Sequence, residues 1–552
     1  MTCIHTIHYL YPVLFVTFLC ASLCHCASVG TAGDLISLFN KATGNTLQAD
    51  IEVTADLDFS ASTLILPLGA FSNGTCVAYS GVFRGNGHSI KGLKINNTNN
   101  DGYNNSGLFC NLKDATVENL VIDSSCSFTG HWAGALSVSV NGSVTVTNTT
   151  NKAAVSGNRG VGGFIGFVED LKQPSVITFE GCVNHGNITG SYSVGGFVGD
   201  ISSNTNMTMT ISNSINNGEV TGSFSGDNHN EVGGFVGYIS YNTNMTISML
   251  NSINNGNVNG NFIGGDNQVG GFVGYIHYNR DITMTISNST NNGNVTGSSD
   301  VGGFVGYISS NTNMVVTISN STNNGNVTGS SDVGGFVGWI YSNINLTMTI
   351  SNSTNNGIIT GSHVIVGGFV GYISSNTNMI VTISNSINNG SVTGSHGCVG
   401  GFVGWIYNNT NMTMTISNSP NNGNVTGSGD HVGGFVGYIW DNANMTMTIS
   451  NSTNNGNVTG NNFYVGGFVG GISSNKNMSM TIPNSINNGN VTVWNYVGGF
   501  VGDISSNKNM SMTISNSTNN GNVTGSHYVG GFVGCISSNK NMSMTIPNSI
   551  NN

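Results

Sequence analysis

Apolar and hydroxyl-bearing residues alternate one by one in a short stretch that returns along most of the chain. In MTMTIS, residues 412–417, two methionines and an isoleucine alternate with two threonines and a serine. A period of two predicts a β-strand with one buried face. The repeated part of the chain has no stretch with the 3.6-residue period of an amphipathic helix, so this pattern predicts an all-β fold.

The alternating stretch belongs to a longer unit, marked by the hexapeptide Val-Gly-Gly-Phe-Val-Gly or a close variant. The Phe residues of successive copies, from Phe164 to Phe532, are 32 to 38 residues apart. Each unit contains three predicted strands, as in 401–406, 412–417 and 424–427, separated by turns rich in Asn and Gly. A unit of about 33 residues is too small to bury its own core, so neighbouring units must stack. We therefore predict a right-handed parallel β-helix (solenoid) of about twelve such coils, with an irregular N-terminal capping region.

The alternation also predicts where side chains point. Phe402, the methionines of the second strand and Val425 are expected in the core, while the hydroxyl residues between them face solvent. Asn421 and Asn422 precede a Gly in nearly every unit, so their side chains are expected to align from coil to coil. Aligned amides predict a ladder of hydrogen bonds along the rod.

Three segments follow from these patterns. Residues 1–26 resemble a secretory signal peptide with an apolar run followed by small residues, which predicts a secreted or cell-surface location. Residues 27–160 are expected to form a cap and irregular first coils, with a short helix over 34–47 covering the end of the core. Residues 161–552 form the repeat solenoid, and its end in the middle of a unit suggests a truncated C-terminus.

Charge is sparse, with Lys+Arg 12, Asp+Glu 23 and a net charge of −11. Nucleic-acid binding needs clustered Lys and Arg, so nucleic acid is not an expected partner. No second apolar run has the length of a membrane span.

Six cysteines follow the signal segment. Four of them crowd into 76–182 and predict one or two disulfides of open pairing in an extracellular protein, while Cys398 and Cys535 are expected to be free thiols. The disulfide candidates are Cys76, Cys110, Cys126 and Cys182.

Asn-x-Ser/Thr sequons are dense and mark candidate N-glycosylation sites at exposed positions, although an Asn/Ser/Thr-rich chain also forms sequons by chance. The candidates are Asn288, Asn294, Asn320, Asn326, Asn411, Asn424, Asn451, Asn457, Asn516 and Asn522.

The unit Asn-Ser-x-Asn-Asn-Gly-x-Val-x-Gly, followed by a short loop and the hexapeptide, resembles the GLUG repeat. Good copies are Asn320–Gly338 and Asn451–Gly470, although the family usually has Leu where this chain has Phe. The resemblance covers about residues 160–552. It implies an extracellular β-solenoid of the kind found in adhesin-like surface proteins and in some large bacterial proteases, and it does not by itself imply catalysis.

A catalytic β-helix would need several carboxylates converging at one height of the rod. The scattered acids of the repeat are expected to be solvated turn residues in different phases. We therefore predict no enzyme, no cofactor and no metal site, with a carbohydrate-active enzyme (polysaccharide lyase or hydrolase) as the alternative. The acids are Asp200, Asp300, Asp332, Asp430 and Asp503.

An aromatic residue follows the hexapeptide in many units. These rings are candidates for a ladder on which sugars stack, with packing along the coil edge as the alternative explanation. The residues are Tyr275, Tyr307, Trp339, Tyr372, Trp405 and Tyr438.

Together these features predict a structural or adhesive repeat protein that presents a rigid surface to an extracellular glycan or protein. Ice binding by the outward Thr-x-Thr ranks is a minor alternative.

Overall fold

The computed structural model describes residues 26–42, 44–62, 64–71, 74–98, 104–222, 230–260, 267–363 and 365–552. The predicted signal peptide lies outside these ranges except for Cys26. The described chain is an all-β parallel β-solenoid of about 15 turns with a single short helix. The prediction of about twelve coils was low because the N-terminal segment already winds as the repeats do. Its strand Ser137–Thr147 pairs in parallel with Phe109–Glu118 on one side and with Ile165–Glu169 on the other.

Each repeat coil contains five strand positions rather than the three predicted. In order these are the Val-Gly strand, the aromatic strand, the threonine strand, the asparagine strand and the Val-Thr strand. The coil that starts at Cys398 shows them as Cys398–Gly400, Val403–Tyr407, Thr413–Ser417, a single bridge at Asn421, and Val425–Gly427. The two additional positions hold only one to four residues, too few for a periodic pattern to appear in the sequence.

The strands stack by position. The Val-Gly strands are Val161–Gly162, Ser193–Gly195, Asn230–Gly233, Asn267–Gly270, Asp300–Gly302, Asp332–Gly334, Ile365–Gly367, Cys398–Gly400, His431–Gly433, Tyr464–Gly466, Tyr496–Gly498 and Val529–Gly530. The aromatic strands are Ile165–Glu169, Val198–Ser202, Val236–Ser240, Val273–His277, Val305–Ser309, Val337–Tyr341, Val370–Ser374, Val403–Tyr407, Val436–Trp440, Val469–Ser473, Val501–Ser505 and Val533–Ser537. The threonine strands are Ser175–Glu180, Met207–Ser212, Thr243–Leu250, Arg280–Ser287, Thr312–Ser319, Ile344–Ser351, Ile380–Ser384, Thr413–Ser417, Thr446–Ser450, Lys476–Pro483, Lys508–Ser515 and Lys540–Thr545.

Two shorter sets complete the coils. The asparagine strands are Val183–Asn184, Ile215–Asn216, Ile253–Asn254, Thr290–Asn291, Thr322–Asn323, Thr354–Asn355, Ile387–Asn388, Thr453–Asn454, Ile486–Asn487, Thr518–Asn519 and Ile550–Asn551. The Val-Thr strands are Ile188–Gly190, Val220–Gly222, Val258–Gly260, Val295–Gly297, Val327–Gly329, Ile359–Gly361, Val392–Gly394, Val425–Gly427, Val458–Gly460, Val491–Thr492 and Val523–Thr524.

The N-terminal coils are less regular. Their strands are Ala27–Val29, Thr46–Leu47, Ile51–Val53, Leu57–Asp58, Ala78–Tyr79, Val82–Arg84, Ser89–Lys91, Lys94–Asn97, Phe109–Glu118, Val121–Ile122, Ser127–Gly130, Ala133–Gly134, Ser137–Thr147, Thr150–Asn151 and Ala154–Gly157.

The core has the predicted composition. Phe402 is fully buried and lies 5.0 Å from Phe435 between ring centroids, in a stack that runs along the rod. Met414 and Ile416 are buried and pair in register with Met447 and Ile449 of the next coil. Because the same apolar residue recurs at the same position of each coil, successive coils pack closely against one another without a change of shape.

Asparagine makes the corners of the coils. Asn408, Asn411 and Asn418 have φ angles of 52°, 56° and 51°. This left-handed region is costly for most L-residues, and Asn tolerates it better than other non-Gly residues. The coil therefore turns without a glycine at these positions.

The predicted asparagine ladder is confirmed. The Nδ2 of Asn388 donates to the Oδ1 of Asn421 at 2.8 Å and to the carbonyl oxygen of Gly390 at 3.0 Å. The same bonds join consecutive coils from Asn151 to Asn551. A second buried ladder runs from Asn204 to Asn539. These amides satisfy buried backbone groups where charge is scarce.

A short helix covers the N-terminal end of the core. It spans Ala32–Asn40, shorter than the predicted 34–47, and begins with a capping box between Thr31 and Asp34. Leu35 and Phe39 are buried, and Phe39 lies 5.9 Å from Phe109 between ring centroids. The helix thus seals the first coils, as the sequence predicted.

The cysteines divide into one pair and several thiols. Cys76 and Cys110 form a disulfide, whereas Cys126 and Cys182, also predicted as disulfide candidates, are buried free thiols. Each of these thiols donates to a carbonyl oxygen of an earlier coil, Ile90 and Val146 respectively, so both behave as small core residues. Cys398 and Cys535 are free, as predicted. None of the helices in the described ranges is long and apolar enough to cross a bilayer.

Candidate functional site

The two residues that flank the hexapeptide face each other across a groove on the outside of the solenoid. Asp300 begins the Val-Gly strand, directly before the hexapeptide at 301–306. Tyr307 directly follows the hexapeptide and lies in the aromatic strand Val305–Ser309. The glycine pair between them permits a tight corner, because a Cβ on Gly303 would overlap the carbonyl oxygen of Gly335. Stacking of the coils repeats this arrangement along the rod, and we call the two facing columns and the space between them the furrow.

One wall of the furrow is the column of residues that precede each hexapeptide. The residues of this column pair in register from coil to coil, and they change from polar to apolar along the rod. Its members in order are Ser193, Glu231, Gln268, Asp300, Asp332, Ile365, Cys398, His431, Tyr464 and Tyr496.

The acids of the repeat are therefore placed differently from the sequence prediction. Asp300 and Asp332 are buried on adjacent strands of this wall, 2% and 5% exposed, and are not solvated turn residues. Asp200 and Asp503 lie in aromatic strands, and Asp503 is buried. Only Asp430 is exposed, as predicted. The prediction was wrong for Asp300 and Asp332 because it assigned them to turns. They begin short Val-Gly strands, which the sequence pattern did not reveal.

Burial controls the ionisation of these carboxyls. Burial first, and the negative charge of Asp200 second, raise the pKa of Glu231 to about 8. Burial likewise raises the pKa of Asp200 to about 7 and raises that of Asp332 against the opposing hydrogen bond from Ser331. Carboxyls with such pKa values hold or release a proton near neutral pH.

The other wall contains the six predicted aromatic residues, and Tyr238 extends it. Tyr275 and Tyr307 stack at 4.8 Å, and Tyr307 and Trp339 at 4.7 Å, between ring centroids. The faces of the rings are thus occupied by one another along the column, which continues through Tyr372, Trp405 and Tyr438. Only their edges line the furrow, so this structure offers no free face for sugar stacking at Tyr275, Tyr307, Trp339, Tyr372 and Trp405.

The polar ends of the rings that line the first stretch of this wall, Tyr275 and Trp339, are also occupied, whereas Nε1 of Trp405 is buried without a hydrogen-bond partner. The hydroxyl of Tyr275 bonds to the Oγ of Ser309 at 2.9 Å, and Nε1 of Trp339 donates to the Oγ of Ser374 at 2.9 Å. Each bond reaches across to a serine of the next aromatic strand. The aromatic wall therefore presents an apolar surface to the furrow.

The furrow widens into two cavities of similar size. One, about 310 Å³, is lined by Gln268, Tyr275, Ser299, Asp300, Tyr307, Ser331, Asp332 and Trp339. The other, also about 310 Å³, is lined by Gly397, Cys398, Trp405, Asp430, His431, Tyr438 and Trp440. The first combines acceptor oxygens with an apolar wall, and the second is predominantly aromatic.

Two pairs of side chains resemble nucleophile–base pairs but lack their properties. The Oγ of Ser309 lies 2.7 Å from Nδ1 of His277, yet Ser309 is 1% exposed and out of reach of a substrate. Cys398 and His431 pair in register. Burial raises the pKa of the Cys398 thiol and lowers that of His431 to about 3, so both are neutral rather than a thiolate and an imidazolium.

The remaining predicted positions lie outside the furrow. All ten candidate glycosylation asparagines are exposed. The hydroxyl face of the threonine strands is also exposed, but Val315 and Ile380 interrupt one of its ranks, at 41% and 48% exposed.

Sequence analysis missed Glu231, Gln268 and His431 as members of the furrow. The available signal was variation at one fixed position, the residue directly before a hexapeptide that hardly changes. Its neighbour across the furrow, the residue after the hexapeptide, varies in the same way.

The fold and the furrow define a parallel β-solenoid with a lateral groove. No protein-family model matches the chain, and no curated protein matches it. A solved structure from Bacteroides ovatus, described as that of "a putative immunoglobulin A1 protease", is similar over 61% of this chain and 77% of its own, at 16% identity and a TM-score of 0.31.

This comparison corrects one expectation. The sequence was interpreted as that of a non-enzyme, whereas the neighbour's description points to an enzyme. At this identity and TM-score the likeness carries no argument about a reaction. The chemistry of this chain must be argued from its own side chains.

Proposed function

We propose that the protein is a secreted or cell-surface β-solenoid with a structural or adhesive role, and that it binds an extended extracellular glycan or protein along the furrow. The observation that carries this proposal is the furrow itself, in which two facing columns of variable residues flank a nearly constant hexapeptide. The predicted signal peptide and the resemblance to GLUG repeats support the extracellular setting. Variation concentrated on a rigid groove is the arrangement that ligand-binding surfaces use.

The test is binding of the purified protein to a glycan array and to a panel of extracellular matrix proteins. Ser299→Trp would fill the first cavity, and we expect it to weaken binding at least tenfold. Thr283→Trp, on the exposed side of a threonine strand, is the matched control and should bind as the unmodified protein does. Equal binding by both variants, or no binding to either panel by the unmodified protein, would contradict the proposal.

A second candidate function, a polysaccharide hydrolase or lyase, is supported by Asp200 and Glu231. Their pKa values of about 7 and about 8 suit general acid–base catalysis near neutral pH. If this function holds, products will appear from a polysaccharide panel, and Glu231→Gln will lower their rate by about 100-fold or more. Glu219→Gln, at an exposed glutamate of the preceding coil, should leave the rate unchanged.

A further inference from the structure

The first cavity of the furrow contains acceptor oxygens for which the described side chains provide too few donors. Gln268 is 2% exposed, and its Oε1 has no hydrogen-bond partner. Asp332 is 5% exposed, and its Oδ1 has none either. Both residues line the cavity. Buried acceptors without donors are costly, so a partner that supplies donors would be stabilised here.

The carboxyl groups of the cavity lie on one side only. Asp300 and Asp332 stand on adjacent strands of the same wall, and Nε2 of Gln268 lies 3.4 Å from Oδ2 of Asp300. The pKa of Asp332 is raised chiefly by burial. A bound cation would oppose that effect and hold the carboxyl ionised.

The opposite wall is built of ring edges, and the polar groups of Tyr275 and Trp339 are already bonded. The hydroxyl of Tyr275 is bound to Ser309, and the indole nitrogen of Trp339 is bound to Ser374. A metal ion would need ligands from several directions, whereas the cavity has a row of acceptors facing ring edges. A flat, donor-rich cation carried on an apolar stem fits this shape better.

We propose that the cavity at Gln268, Asp300 and Asp332 binds the guanidinium group of an arginine side chain from a partner protein. This inference rests on the proposed function and names the ligand chemistry at one position of the furrow. The guanidinium donates to the carboxylates and to Oε1 of Gln268, as charge-assisted hydrogen bonds require. The methylene stem of the arginine packs along the edges of Tyr307 and Trp339.

The test uses the full protein and two short peptides that differ at two residues, in one nitrogen-to-oxygen exchange at each. One carries two arginines between Gly and Ser residues, and the other carries citrulline, which keeps the shape but is neutral. Binding is measured by calorimetry and by tryptophan fluorescence, to which Trp339 is one of five contributors. We expect saturable binding of the arginine peptide, and at least tenfold weaker binding of the citrulline peptide. Equal affinity for both peptides, or no binding of the arginine peptide, would overturn the proposal without any variant.

Variants then locate the site. Asp332→Asn and Asp300→Asn preserve the shape of the side chain, and each should lower the affinity for the arginine peptide at least tenfold. Asp503→Asn, at a buried carboxyl of a distant coil, is the control and should leave the affinity unchanged. Unchanged affinity in the first two variants, or saturable binding of Ca²⁺ alone that depends on Asp332, would reject an arginine site. If Ser299→Trp weakens binding to the arrays while Asp300→Asn and Asp332→Asn do not, the arginine site is rejected and the proposed function stands.

Discussion

The imidazole of His431 lies flat against the ring of Tyr438, with centroids 3.6 Å apart and planes inclined by 14°. It fills the place where the next ring of the aromatic column would lie, because the following coil has Gly471 at that position. A Cβ on Gly471 would overlap Cδ2 of His431. The space left by Gly471 in the aromatic column is thus filled by the ring of His431, which belongs to the opposite column.

This relationship predicts a specific coupling. Gly471→Ala should lower the free energy of local opening of its coil by about 1–3 kcal/mol, because the imidazole must leave its stack. In a His431→Ala background the same substitution should cost much less, since the space is then open. Native-state hydrogen exchange measures the opening of that coil. An equal cost in both backgrounds would mean that the strain lies in the backbone.

The first buried asparagine ladder and an exposed column of asparagines beside it give a matched pair of predictions in adjacent residues. Asn388 is fully buried, and its amide bonds to Asn421 and Gly390. Asn389 is exposed; its Nδ2 donates to Oδ1 of Asn356 at 2.9 Å, and its Oδ1 accepts from Nδ2 of Asn422 at 2.8 Å. We expect Asn388→Ala to cost about 2–4 kcal/mol, because it leaves buried acceptors and a donor without partners. Asn389→Ala should cost less than about 0.5 kcal/mol.

Hydrogen exchange of coils 355–454 in each variant would measure this difference. A solenoid opens coil by coil, so a local measurement is more informative than a single melting curve. Similar protection in both variants would show that the buried ladder contributes no more than the exposed one.

The buried carboxyls predict that stability falls as pH rises. The pKa of Glu231 is about 8 against an ordinary 4.5, and that of Asp200 is about 7 against 3.8. Between these values the folded chain holds protons that the unfolded chain has released, so the free energy of unfolding decreases with pH. The slope is at most about 1.4 kcal/mol per pH unit for each group.

Denaturant titrations from pH 4 to pH 9, at about one-unit steps, would measure this slope. Glu231→Gln should flatten it, because glutamine does not titrate, whereas Glu219→Gln at the exposed site should not. Stability that rises with pH across this window would contradict the burial of these carboxyls.

Thiol labelling tests the packing of the core. Cys126, Cys182 and Cys398 are buried, and burial raises the pKa of the Cys126 thiol to about 11. Iodoacetamide should therefore spare them in the native protein and modify the half-buried Cys535. Mass spectrometry after denaturation and reduction should then find Cys76 and Cys110 reactive as well. Labelling of Cys126 before denaturation would indicate that the first coils open in solution.

Much of the fold could be predicted from the repeat. The period-two pattern placed Met414 and Ile416 in the core, and the recurring Asn421 indicated the ladder, because stacking multiplies each local preference along the rod. The extra strands could not be predicted, since a two-residue strand such as Ile387–Asn388 has no period. The number of turns was underestimated for a related reason: the N-terminal coils wind in the same way without the repeated hexapeptide.

The sequence by itself determined a stack of β coils, because identical units of this size can bury their apolar residues only against one another. Which polar residues meet was decided only by the tertiary structure. Asp300 and Asp332 are 32 positions apart in the chain and adjacent in the furrow, and both face an aromatic wall from the other side of a glycine corner. Their burial, the raised pKa of Asp332 and the cavity between the walls arise from the stacking of whole coils, which no single unit contains.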